Sequence, residues 1–147
     1  MEVTTISKRG GLRRLFQKAA LKRLAKELVR SSEESSLAGD EILYRLPGVF
    51  SFVLEYQGES VRLIKEANSF RIMENSEKSA VLLSATVMDG AALCDIYRHR
   101  ATWQKVYAEG RIAFGGKAKY AMVVIRVAAE GDKARLHPQK YQELYGE

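Results

Sequence analysis

Residues 50–73 read FSFVLEYQGESVRLIKEANSFRIM, and the fold turns on this stretch. Phe50, Phe52, Leu54 and Tyr56 alternate with Ser51 and Glu55, and Val61 and Leu63 flank Arg62 with the same period of two. That period puts the apolar side chains of each run on one face of a strand. Gln57-Gly58, Ala67-Asn68 and Asn75-Ser76 punctuate the runs. Reading outward, the pattern predicts strands over 49–56, 60–64, 70–73 and 80–87, which in sequence order suggest a meander. A sheet with one apolar face needs cover on that face.

The cover lies downstream. Helices are expected over 88–99, opening near Asp89, over 117–129, and over 138–145 with Pro138 in the first turn. Between the first two, residues 111–114 read as a fifth short strand bounded by Gly110 and Gly115-Gly116. Strands gathered first and helices afterwards indicate an α+β domain, with a five-stranded, mostly antiparallel sheet covered by helices. Neither a strand-GxGxxG-helix arrangement nor GxxxxGK[ST] is present, so phosphate-cradle chemistry has no support.

Upstream, the chain changes character. Of 24 Lys and Arg in 147 residues, nine fall in residues 1–30 against two acids, so the net charge of +6 is concentrated in a leader. A local cation cluster sets up a field that dispersed charge does not, and it calls for an anionic partner. Arg13, Arg14, Lys18, Lys22, Arg23 and Lys26 are the candidate contacts to an anionic membrane or an acidic protein. A phosphate clamp on nucleic acid is the rival reading. Leu12, Phe16, Ala20, Leu24 and Leu28 form an i, i+4 row that predicts a helix over 12–29, packed on the body or lying on a membrane surface. Ser31 to Asp40 is small and polar and reads as a linker, which divides the chain into a leader at 1–40 and a body at 41–147.

The 16.5 kDa chain has room for one domain. One cysteine, Cys94, cannot form an intrachain disulfide, and no run is apolar enough to span a bilayer, so a cytoplasmic, membrane-peripheral location is expected. No cofactor or metal is expected, since two distant histidines and one thiol make no ligand cluster. Cys94 reads as a core thiol, and His99, four residues after Asp95, as an ion-pair or helix-end residue. With no acid–base pair converging in the sequence, a non-catalytic role is expected.

The words FSFVLEYQGESVRLIKEANSFRIM, AVLLSATVMDGAAL and VYAEGRIAFGGKAKYAMVVIRV, in this order, resemble the sterol-carrier-protein family over residues 43–129. The most informative segment, residues 107–116, is similar to that family's aromatic-x-x-Gly-basic-aliphatic turn and strand. Residues 99–104 lack its usual Gly-basic-x-Asn run, and Gly116 stands where Asp or Asn is common. The resemblance implies an apolar tunnel between sheet and helices that binds a fatty acyl, isoprenoid or quinone, sterol or phospholipid ligand. Bacterial relatives of this fold also serve as accessory factors in ubiquinone synthesis.

Phe52, Leu63, Leu83, Ile96, Val106, Phe114, Met122 and Ile125 are the expected wall of such a cavity, although for any one of them taken singly burial statistics favour an ordinary core position. Ala118, Met122, Ile125 and Ala129 share one side of the predicted helix over 117–129, and that side is expected to face inward. A fully packed interior would instead indicate a protein-interaction or accessory subunit.

Overall fold

A computed structural model describes the backbone of residues 2–37 and 41–146, and the side chains of 16–36 and 41–146. The alternation at 50–73 forms strands β1 (Ser51–Tyr56), β2 (Glu59–Glu66) and β3 (Ser69–Ile72). The Gln57-Gly58 corner has positive φ at both residues, the geometry a two-residue hairpin turn requires. Strand β4 (Val81–Val87), helix α2 (Gly90–Tyr97), helix α3 (Trp103–Ala108), strand β5 (Ile112–Gly116), helix α4 (Ala118–Arg135) and helix α5 (Pro138–Tyr145) follow. A single long helix, α1 (Glu2–Leu37), and a 3₁₀ turn at Ile42–Arg45 precede the sheet.

The sheet order is β3-β2-β1-β4-β5, with β1 and β4 parallel and the other pairings antiparallel. The expected meander therefore stops at β3. Residues 73–80 cross instead from β3 to the far side of β1, where β4 starts. Arg62 and Arg71 alternate with core-facing Leu63 and Phe70, so they stand on the outer face, and both hold this crossing. Arg71 Nη1 and Nη2 reach Glu77 Oε1 and Oε2 at 2.6 and 2.8 Å, and Arg62 Nη2 donates to the Glu77 carbonyl at 2.9 Å. Ser51 Oγ donates to the Ala80 carbonyl at 2.7 Å.

The helices cover the opposite face. Phe52, Leu54, Val61, Leu63, Leu83, Ala85 and Ile112 point to a single core that also takes Leu21, Leu24, Ala25 and Leu28 of α1. Phe50, Phe52 and Phe70 are fully buried, with ring centroids 6.4 Å apart for Phe50–Phe52 and 5.6 Å for Phe52–Phe70. Asp89 Oδ1 and Thr102 Oγ1 cap α2 and α3 by accepting from Ala92 N and Lys105 N. Gly116 closes β5 at φ +120°, where a Cβ would stand 2.5 Å from the Leu82 carbonyl oxygen. An Asp or Asn is excluded from that position by space as well as by backbone conformation.

Three expectations need correction. Ser31 to Ser36 is not linker but a continuation of α1, with Ser31, Ser32 and Ser35 buried. The stripe of buried positions 21, 24, 25, 28, 31, 32 and 35 keeps helical spacing while its residues change from apolar to small and polar. Ser32 Oγ accepts from Phe70 N at 2.9 Å, and Ser31 lies against Gly131 of α4, where a Cβ would meet Ser31 Oγ at 2.0 Å. Second, α4 turns a different side inward. Tyr120, Ala121, Val124, Val127 and Ala128 are buried, whereas Ala118 and Met122 are exposed. Met122 lies two residues, about 200° of rotation, from Val124 at the centre of the buried face. Third, Cys94 is exposed, because Ala92, Leu93 and Ile96 take the inner side of α2.

Candidate functional site

Ile42 and Leu43 of the Ile42–Arg45 turn are buried, and the turn packs against α4. Helix α4 is anchored by Tyr120, whose ring meets Phe50 edge-on at 5.4 Å. Lys119, Met122, Val123 and Arg126 fall at helical spacing, and with Ile42 and Arg45 they enclose an open groove of about 390 Å³. That lies within the range of roughly 300–1,000 Å³ typical of small-molecule sites. Ile42 and Val123 are both members of the core, so the groove floor is the outer wall of the core itself. Met122, 45% exposed, forms its adaptable apolar side, and Arg45, Lys119 and Arg126 its cationic margin. An apolar floor with a cationic margin suits an amphiphile with an anionic head.

The sequence-predicted wall is divided by the structure. Phe52, Leu63, Leu83, Ile96, Val106 and Ile125 are buried in the continuous core, and Phe114 packs against it at its β5 edge. Met122 is the member of the set that reaches the groove. Ile42, Arg45, Lys119, Val123 and Arg126 were not singled out by sequence reasoning. The i, i+3, i+4, i+7 pattern of Lys119, Met122, Val123 and Arg126 was the available signal.

The leader cations are also divided. The side chains of Arg13 and Arg14 lie outside the described residues. Lys18 and Lys22 line a second groove of about 430 Å³ with Ser60, Arg62, Met73 and Glu74, at the end of the sheet that carries the β1–β2 turn. Lys26 is exposed. Arg23 is engaged within the fold: its Nη1 donates to the Tyr97 hydroxyl, and its guanidinium lies 5.0 Å from the Tyr97 ring centre.

A polar junction forms where α1, α4 and the end of α2 meet. His99 does not pair with Asp95, which takes Arg111 Nη2 at 3.0 Å. His99 stands instead between Glu27 (Nε2–Oε1 3.6 Å) and Asp132 (Nδ1–Oδ1 3.5 Å). Burial pushes the carboxyls of Glu27 and Asp132 above their usual range, and Tyr145, whose hydroxyl donates to Asp132, is raised by burial as well. Arg135 extends the junction to Ser31 Oγ at 3.0 Å and Glu34 Oε2 at 3.4 Å. The space beside it admits no substrate, at about 10 Å³. Its role is to join helices. Among the described residues no group of His, Cys, Asp or Glu is placed to hold a metal ion.

An α+β protein with an open five-stranded sheet, covered on one face by helices, is the class these features define. The solved structures to which the chain is similar are sterol carrier protein structures. The "UbiJ-SCP2 Ubiquinone synthesis protein" is 19% identical, over 75% of this chain and 98% of that one, with a TM-score of 0.43. Sterol carrier protein domain 2 of Helicoverpa armigera is 16% identical over 78% and 91%, with a TM-score of 0.49. Palmitated SCP2L2 from Aedes aegypti is 15% identical over 70% and 92%, with a TM-score of 0.47. No protein-family model and no curated protein matches the chain.

Proposed function

We propose that the protein is a non-catalytic binder or carrier of a hydrophobic ligand with an anionic head, of the fatty acyl or isoprenoid class, in the cytoplasm and at the membrane periphery. The observation that carries this reading is the groove between the Ile42–Arg45 turn and α4. Its floor is the core residues Ile42 and Val123, and its margin is Arg45, Lys119 and Arg126. The ligand's apolar chain lies along Met122 and Val123 and enters between the turn and α4, towards the core expected from sequence to be the tunnel wall. Each methylene buried there contributes about 0.8 kcal/mol, so roughly ten buried methylenes supply the ~8 kcal/mol of micromolar binding before association costs, and a long chain is the ligand that fits, without catalytic groups. The exposed leader cations Lys18, Lys22 and Lys26 serve a separate contact, to an acidic partner protein.

The test is uptake of a fluorescent polyene fatty acid by the delipidated full chain. Binding is expected, with Met122→Asp weakening it roughly tenfold or more and Met122→Leu leaving it near wild type. Absence of uptake, or equal uptake by Met122→Asp, contradicts the reading.

A further inference from the structure

Five of the eight large apolar side chains exposed among the described residues gather at one end of the molecule: Tyr44, Val49, Val81, Leu82 and Met122. The fold brings them together. Parallel pairing of β1 and β4 sets Val81 opposite Ser51, two residues after Val49, and Leu82 abuts Gly116 at the end of β5, where α4 begins. Tyr44 is on the turn that flanks α4, and Met122 is one turn into that helix. Val49 is 73% and Tyr44 62% exposed, values a lone soluble surface has no reason to concentrate in one place.

Cations surround this patch. Lys65 Nζ, held by the carbonyls of Leu46 and Pro47 at 3.3 Å, stands 5.9 Å from the Tyr44 ring centre. Lys117 and Lys119 stand 5.8 and 5.6 Å from the Tyr120 ring centre, and Arg45 is exposed beside Tyr44. Two acids are near in the chain. Glu41 begins the turn, and Glu66, at the β2–β3 corner, is paired with Arg71 at 2.9 Å. Apolar side chains that reach outward within a ring of Lys and Arg match the two layers of an anionic bilayer surface, acyl boundary and headgroup.

We infer that this end of the molecule docks on an anionic lipid bilayer, so that the groove at Met122 opens directly onto the membrane. The bilayer contact is then made by the body and not by the leader, whose Lys18 and Lys22 lie at the opposite, β1–β2-turn end of the sheet. The docking face stands on its own residues, while its use for ligand transfer rests on the groove reading.

The experiment is co-sedimentation of the full chain with phosphatidylcholine vesicles, with and without phosphatidylglycerol. Binding is expected to the anionic vesicles and to weaken with salt. Val49→Asp and Lys117→Glu, neither of which lines the groove, are each expected to lower the vesicle partition roughly tenfold, while Lys22→Glu and Lys26→Glu change it little. Both docking variants keep the wild-type uptake of free polyene fatty acid. Loss of vesicle binding through Lys22→Glu or Lys26→Glu but not through Val49→Asp or Lys117→Glu overturns the inference, as does absence of binding to either vesicle. Fatty-acid uptake is read separately in solution, so its failure would remove the groove reading and leave the docking result standing.

Discussion

Gly131 shows how one residue can fix the distance between two helices. A Cβ there would stand 2.0 Å from Ser31 Oγ and 2.9 Å from Ser31 Cα, so α1 and α4 touch nearly backbone to backbone at this crossing. Gly131→Ala is expected to destabilise the protein by about 1–3 kcal/mol, although alanine is the better helix former, because the overlap is with backbone as well as with a hydroxyl. Urea unfolding measures this, and a neutral or stabilising result contradicts the close crossing. Glu77 provides a second test. Bonding to the Arg71 guanidinium holds its carboxyl down from its ordinary 4.5 to about 2. A carboxyl depressed in the folded state contributes stability that is present above its unfolded value and is lost as pH falls through the folded one. Between pH 4.5 and 2 the wild type should therefore lose more stability than Glu77→Gln, and parallel acid melts of the two would show that the clamp on the 73–80 crossing contributes nothing.

Among the elements, α1 departs furthest from its sequence reading. The leader was expected to be separable from the body, yet Leu21, Leu24 and Leu28 are fully buried in the core. Deleting residues 1–30 is expected to abolish the cooperative thermal transition, and Leu24→Ala alone to cost about 2–5 kcal/mol. A truncated chain that still melts cooperatively would restore the two-part division. The strands β1 to β3 were legible because alternation with charged or small polar residues has a period no helix shares. Ser31, Ser32 and Ser35 concealed the second half of the α1 stripe, since close helix crossing selects small residues and removes the apolar signal. Helix α3 was missed because its six residues are too few for a period to register, and its cap at Thr102 is the signal that was available. The pairing of β4 with β1 was not legible at all, because strand periodicity does not describe the 73–80 crossing that carries the chain past β1. At the groove, Met122 was picked out for the inner face of α4 and serves on the outer one.

At the scale of the whole molecule, the two ends of the sheet differ. Lys18 and Lys22 of α1 line a groove at one end of the sheet, and five of the eight large apolar side chains exposed among the described residues, with a basic margin of their own, lie at the other. No helix of the described residues is long and apolar enough to cross a membrane. The central claim is that the groove between the Ile42–Arg45 turn and α4 receives a lipid. The most direct measurement is native mass spectrometry of the 147-residue chain purified without detergent, paired with analysis of its solvent extract. The account predicts a stoichiometric mass increment, matched in the extract by an acyl or isoprenoid species with an anionic head, and its loss in Met122→Asp. An unliganded mass that stays unliganded after challenge with fatty acid and anionic phospholipid would contradict it.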